Sequence, residues 1–282
     1  MLAPAILYVV ALVGLPLFLA ALYSVGDVRI GSSGWRFVGL QNFRSVVSSP
    51  GFRRALFDSF VFTVSAQALV LVGATLLALA LKDSFRGRRS IRFVILLPWV
   101  APVSLGAIGW KWILDSIYSV LSWVLVRLRL VEPFGAPMWL GEPRLAMLSV
   151  ILVHAWHMLP FATVILLAGW TAIPRDIPEA AEVDGAGFFR RLFAIELPMM
   201  RPIMNVALLF GVVFTFTDMT VIYILTRGGP HDSTQVLPSL AFFTGILGSD
   251  LAAGAAISLF LVPLLGAAAV WILRAAHRAE VA

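Results

Sequence analysis

The chain has 282 residues, 60% of them hydrophobic and 13% charged, and its mean hydropathy of +0.95 exceeds what the surface of a water-soluble domain carries, which removes a soluble globular enzyme. At about 20 apolar residues per spanning helix, six spans take about 120 residues and leave the rest for loops, the arithmetic of an all-α integral membrane protein with six transmembrane helices. The net charge of +6 sits in short basic segments between apolar runs and reads as topology-setting charge facing lipid, not nucleic acid, and the absence of cysteine removes disulfides, thiolate metal sites and cysteine nucleophiles.

The predicted spans, in chain order, are Pro4–Val25, Ser59–Leu81, Arg92–Leu114, Leu145–Ala172, Ile203–Leu225 and Leu251–Leu273. Apolar runs about 20 residues long, such as Ile91–Trp110, lack the alternation of a membrane β-barrel. The first run is longer than the apolar region of a signal peptide and reads as an uncleaved span behind a natural or trimmed tail. The connector between spans two and three carries Lys82, Arg86, Arg88, Arg89 and Arg92, and the one between spans four and five carries Arg175, Arg190, Arg191 and Arg201. The positive-inside rule puts both in the cytoplasm, and with them both termini. The loops around Arg44, Gly141 and Gly229 then face outward. Residues 1–282 read as a single membrane domain without internal repeats.

The fourth connector, Ile173–Pro202, is far longer than a helix hairpin needs. Pro174 and Pro178 suit a first helical turn, Asp176 can cap it, and a short helix over Glu179–Val183 follows. Gly185, Ala186 and Gly187 permit a tight turn, and Phe188–Leu197 reads as a second, basic and apolar helix that Pro198 stops. Lipid headgroups suit an amphipathic helix of this kind. The small, acidic corner at Glu179-Ala180-Ala181 suits a protein groove better, because small side chains let a backbone seat deeply.

The spacing Glu179-Ala180-Ala181, three residues, Gly185, nine residues, Ile195, one residue, Leu197-Pro198 resembles the EAA signature of the permease subunits of bacterial ABC importers. The resemblance implies an ABC type I importer permease fold whose coupling-helix loop, residues 173–202, docks on a cytoplasmic ATPase through Glu179, Ala180, Ala181, Asp184, Gly185, Ala186, Ile195, Leu197 and Pro198. Further segments resemble the maltose and glycerol-phosphate branch of these permeases, in its first-permease type. They are FVGLQNF (residues 37–43), LLPWVAP (96–102) with Trp110-Lys111-Trp112, WLGEP (139–143) and ILTRGGPHDST (224–234). Arg227 departs from this pattern, standing where a glycine is common.

The family implies a multi-pass protein of the bacterial inner membrane that works as a heterodimer with a second homologous permease, two ATPase subunits and an extracytoplasmic solute-binding protein. It is then a transport subunit and no enzyme. It needs no cofactor of its own, since ATP and Mg are bound by the ATPase; the chain has no phosphate-cradling GxxxxGK[ST]. A di- or oligosaccharide of the trehalose or maltose type is the expected solute, with glycerol phosphate or a phosphodiester as the alternative. A membrane enzyme acting on a lipid-linked sugar would need clustered carboxylates or histidines at one membrane face, and they are scattered.

A charge inside the bilayer is a functional candidate. Asp218, with Phe214 and Ile222 on one helical face at i−4 and i+4 and with Thr215 nearby, is the expected lining of the solute path, where a carboxylate beside aromatic rings holds sugar hydroxyls. Pairing with a neighbouring helix is the plainer reading of Asp218. His154 and His157, with Trp156 between them, lack a third ligand for a metal and read as structural or pore-lining. Pro160 kinks their span. Lys111 and Asp115 read as a local ion pair, and Trp110 and Trp112 as interfacial aromatics.

Overall fold

A computed structural model describes residues 6–8, 10–32, 34–115, 117–132 and 135–281, with side chains as far as residue 276. The predicted first residue of span one, Pro4, and the side chain of the basic tail residue Arg278 lie outside what is described. Helix α1 (Leu15–Ser24) is entered through a π turn at Val10–Gly14. A two-residue hairpin follows, β1 (Gly26–Asp27) antiparallel to β2 (Arg36–Phe37). The Asn42 side chain, from the FVGLQNF segment, ties this corner by donating to the carbonyls of Ser24 and Gly26 at 2.9 and 2.8 Å.

After α2 (Gln41–Ser48), α3 runs as one helix over Pro50–Lys82. It starts nine residues before the predicted span because Ser49 caps it, accepting from the Phe52 N–H at 3.4 Å, and Pro50 fits the first turn. Phe52 and Ala55 on that added length are buried against Phe43 and Phe260. At the other end the basic connector is a cap as well as a topology signal. The Arg88 and Arg92 guanidinium groups donate to the carbonyls of Lys82 and Leu81 at 3.1 and 3.3 Å, satisfying the negative end of α3.

The third predicted span is not one rod. It is α4 (Arg88–Val100) and α5 (Val103–Ile113), bent by 94°. At about 1.5 Å per residue neither piece alone crosses an apolar layer of about 30 Å. Pro102 has no N–H to continue the ladder, and it drives Ala101 before it into extended backbone at ψ 143°. Among the described residues five helices are long and apolar enough to span, and the bent pair, taken as one span, makes six. Outside the membrane spans lies α6 (Val120–Arg127). Asp115 does not close the predicted ion pair with Lys111: its Oδ1 accepts from the N–H groups of Tyr118 and Ile117 at 2.8 Å each, and these hold its carboxyl below the usual range. Trp112 is exposed, but Trp110 belongs to the core, edge-on to Trp156 at 5.6 Å.

Helix α7 (Pro143–Ala172) runs unbroken through Pro160. Its main neighbour is α3, along a stripe of small residues four apart, Ala66, Val70, Ala74 and Ala78, which faces Ala155, Met158, Ala162 and Leu166. Small side chains bring two membrane helices close enough for dispersion to hold them where lipid supplies no hydrophobic drive. The fourth connector forms α8 (Asp176–Val183) and α9 (Phe188–Arg191), then a π turn over Leu192–Glu196 that leads into α10 (Leu197–Thr217). The predicted stop at Pro198 is therefore corrected: the wider π turn absorbs the missing N–H just before it, and the helix passes on.

The fifth predicted span is in turn broken. After Asp218, in extended backbone at ψ 129°, the chain restarts as α11 (Thr220–Leu225). The remaining elements are α12 (Leu237–Phe242) with its π turn Phe243–Leu247 and α13 (Leu251–Val281), which packs on α1 and α10. Gly245 and Gly254 allow α12 and α13 to touch backbone to backbone; a Cβ on Gly245 would sit 3.2 Å from the Gly254 Cα.

Candidate coupling loop and solute path

The EAA-like segment folds as helix, turn, helix at one end of the bundle. Asp176 is not the side-chain cap predicted for it: α8 has none, and Asp176 and Glu179 instead lie in its first turn, where carboxylates suit the positive end of the helix. Helix α8 ends in a Schellman turn. The Ala186 N–H donates to the Ala181 carbonyl at 2.8 Å and the Gly185 N–H to the Glu182 carbonyl at 3.0 Å, with Gly185 left-handed at φ 79°. That turn requires φ > 0, so the glycine of the signature has a backbone reason. No atom lies within 4 Å of where a Gly185 Cβ would stand.

The signature residues divide into two faces. Glu179, Ala180, Asp184 and Gly185 are exposed, whereas Ala181 is buried in this chain and Ala186, Ile195, Leu197 and Pro198 are half-buried against the bundle. Beside the exposed corner stand uncovered apolar side chains, Val183 at 88% exposed, Phe189 at 72% and Phe193 at 65%.

Composition and motif spacing gave no sign of Glu196, which an amphipathic reading of Phe188–Leu197 leaves as one more surface charge. It is 3% exposed. Its Oε2 accepts from Lys82 Nζ and from Trp170 Nε1, both at 2.8 Å, and Arg191 Nε lies 3.2 Å from Oε1. Arg191 also pairs through Nη1 with Glu182 on α8. A cleft of about 550 Å³ opens here, lined by Lys82, Trp170, Glu179, Glu182, Arg191 and Glu196 among others.

Inside the bundle the helix expected to carry Phe214, Asp218 and Ile222 breaks at Asp218, so Phe214 and Ile222 lie on two helical pieces with Asp218 in the non-helical link between them. Ile222 is wholly buried in the core, Thr215 is 1% exposed and Phe214 is 39% exposed. Asp218 has partners in its own chain. Its Oδ2 lies 3.1 Å from His154 Nδ1, and its Oδ1 accepts from the Thr220 N–H at 2.7 Å, which caps the restart. His154 Nε2 is 2.9 Å from Thr215 Oγ1, which in turn accepts from Gln67 Nε2 at 2.6 Å. A carboxylate only accepts, so Nδ1 is the donor to Asp218, and hydrogen-bonded contacts link Gln67 through Thr215 and His154 to Asp218. The chain joins α3, α7 and the break in α10.

His157 serves the other break. The Pro98 carbonyl would accept from residue 102 in an unbroken helix, but Pro102 has no N–H, and His157 Nδ1 stands in at 2.8 Å. Around it gathers an aromatic group the sequence did not single out: Trp99 stacks on Phe161 at 4.8 Å and lies 5.5 Å from His157, and Phe161 meets Phe214 at 5.5 Å and Phe210 at 6.2 Å. Phe210 and Phe214 remain partly exposed, at 45% and 39%. Trp156, set against Trp110, stands apart from this group.

At the GGP segment α11 ends with Arg227 left-handed at φ 52° and Gly228 at φ 87°. A left-handed position is where a glycine ordinarily stands, which accounts for the residue that Arg227 replaces. Thr234 Oγ1 closes the loop, donating to the Gly229 carbonyl at 2.9 Å and lying 2.7 Å from Thr226 Oγ1.

Residues 70–278 match the family described as binding-protein-dependent transport system inner membrane component. A trehalose/maltose transport system permease, MalF of Thermococcus litoralis, is 35% identical over 223 residues, 79% of this chain and 74% of that one. A sulfoquinovosyl glycerol transport system permease, SmoG of Agrobacterium fabrum, is 30% identical over 228 residues, 81% of this chain and 73% of that one. The fold is shared with a bacterial ABC transporter involved in the import of the acidic polysaccharide alginate, at a TM-score of 0.82 and 19% identity, covering 99% of this chain and 93% of that one. With its broken third span, its helix-turn-helix connector and these relatives, the chain belongs to the family of inner-membrane permease components of binding-protein-dependent ABC importers.

Proposed function

We propose that this permease moves a di- or oligosaccharide of the trehalose or maltose type, delivered by an external binding protein, through a path it forms with a second homologous permease. Two cytoplasmic ATPase subunits drive it, binding the ATP and Mg. The observation that supports the solute class is the cluster of Trp99, Phe161, Phe210 and Phe214, the last two partly exposed, beside the His157 imidazole. Sugar rings present apolar C–H faces that lie on aromatic rings while their hydroxyls find polar partners at the edge. The identity to a trehalose/maltose permease supports the same class. Phe214 and His157 then belong to the path, with Asp218, Thr215 and Ile222 behind them holding its wall, and Trp156 on the flank. Glycerol phosphate or a phosphodiester fits less well, for an aromatic stack offers an anion nothing.

The exposed corner of Glu179, Ala180, Asp184 and Gly185, flanked by the apolar Val183, Phe189 and Phe193, is the surface that docks on the ATPase. An apolar patch rimmed by charge is what a protein partner covers. Ala181, Ala186, Ile195, Leu197 and Pro198 hold that surface to the bundle. The loops centred on Arg88 and Arg190 are cytoplasmic, as are both termini, and those at Arg44, Gly141 and Gly229 are external.

The test is uptake in proteoliposomes holding both permeases, the ATPase and the binding protein. Phe214→Ala and Phe161→Ala should each weaken saccharide uptake with the complex intact. Each aromatic contact is worth about 0.5–1.5 kcal/mol, a factor of roughly two to ten. Unchanged uptake in both variants would remove the aromatic stack from the path.

A further inference from the structure

Glu196, Lys82, Trp170 and Arg191 form a buried ionic knot where three spans meet the coupling loop. Lys82 is the last residue of α3, Trp170 lies in the last turn of α7, and Glu196 closes the π turn that opens α10. A π turn carries one residue more than an α turn and is frequent at functional sites. Here it turns Glu196 inward, against both Lys82 and the Trp170 indole. Lys82 Nζ also lies 5.9 Å from the Trp170 ring centre.

Such a knot is a weak stabiliser. Taking a carboxylate and an ammonium out of water costs about as much as their attraction returns, and well-packed apolar groups often do as well. What distinguishes this one is its continuation. Arg191 forms an ion pair with the buried Glu196, Nε 3.2 Å from Oε1 without hydrogen-bond geometry, and reaches Glu182, on the coupling helix, with Nη1. The side chains of Lys82 and Glu196 are 19% and 4% exposed, that of Glu182 61%. One end is therefore shielded from water, where losing a partner would strand a buried charge, and the other is wet and easily broken.

We propose that the chain Lys82–Glu196–Arg191–Glu182 fixes the tilt of the coupling helix relative to α3, α7 and α10, so that a displacement of α8 is delivered to those spans instead of being lost in the connector. Glu196 and Arg191 are positioning residues in this account. They touch neither solute nor nucleotide. The inference rests on the reading of residues 173–202 as the ATPase-docking loop. If α8 moves, Arg191 keeps Glu196, whose unpaired charge would be costly in the interior, and carries the pull to Lys82 and Trp170.

The experiment uses the reconstituted importer and reads three quantities: ATPase retained on the purified permeases, cross-linking of a cysteine at residue 180 to the ATPase, and saccharide moved per ATP hydrolysed. E196Q and E182Q should keep the first two and lower the third by about fivefold or more, within the range of coupling free energies between distant sites. A merely structural role would leave saccharide per ATP unchanged in every variant that assembles, and that result overturns the proposal. Should E196Q fail to assemble, the mostly exposed E182Q decides by itself. Absence of the cross-link in the Ala180→Cys protein that keeps Glu182 and Glu196 is a different failure, and it counts against the docking reading.

Discussion

Asp218→Ala separates a residue that holds the wall of the path from one that touches the solute. Removing the carboxylate strips the acceptor from His154 Nδ1, 3.1 Å away on a side chain 2% exposed, and the cap from the Thr220 N–H at 2.7 Å. One hydrogen bond to a charged group is worth about 1.5–3 kcal/mol, a factor of roughly ten to a hundred, and a buried donor left unpaired adds cost of its own. Uptake by Asp218→Ala should therefore fall by roughly ten- to a hundredfold. His154→Ala should produce a loss of similar size, because each variant opens the same break between α10 and α11. The assay is initial saccharide uptake in proteoliposomes for the two single variants and the double. Residues acting through one contact are non-additive, so the double variant should be little worse than either single, with an interaction term within about 0.5–3 kcal/mol. Losses that simply add, within about 0.5 kcal/mol, would refute the relay and return Asp218 to direct contact with the sugar.

His157→Phe keeps the ring and removes the donor to the Pro98 carbonyl; the buried carbonyl left without a partner should cost about 1–3 kcal/mol and lower the thermal unfolding midpoint of the purified complex. Gly185→Ala must place a Cβ at φ 79°, a strain of about 1–2 kcal/mol, and should reduce ATPase association modestly, whereas Ala180→Trp, on the exposed face, should abolish association without affecting membrane insertion. Single cysteines at 88 and 190 should react with an impermeant reagent only from the cytoplasmic side, and those at 44, 141 and 229 only from outside; the native chain has no cysteine to confuse the result.

The long helices are legible in the sequence because about 20 apolar residues in a row have few other fates. The turn at Gly185 is legible for an equally local reason, a glycine just past a short run of helix formers. The breaks are less so. Phe93–Trp110 carries no charge, and only Pro102 with the extended residue before it marks the 94° bend. Pro198 misleads in the opposite direction: it looks like a stop and is carried through by a π turn, whose pattern no composition announces. At Asp218 neither proline nor glycine signals the break. It is set by tertiary contacts, His154 from 64 residues away and the Thr220 N–H. Glu196 was hidden for the same reason, since Lys82 lies 114 residues from it in the chain. Positions settled by partners distant in sequence do not show in local periodicity.

The central claim is that the helix-turn-helix at residues 173–202 couples this permease to an ATPase, and a single cysteine at residue 180 tests it most directly. In the assembled importer Ala180→Cys, on the exposed face of α8, should cross-link to the ATPase subunit, and the linked complex should stop accumulating saccharide while the same permease before linking transports it. An assembled, transporting complex that gives no cross-link at 180, or that keeps full uptake once linked there, would contradict it.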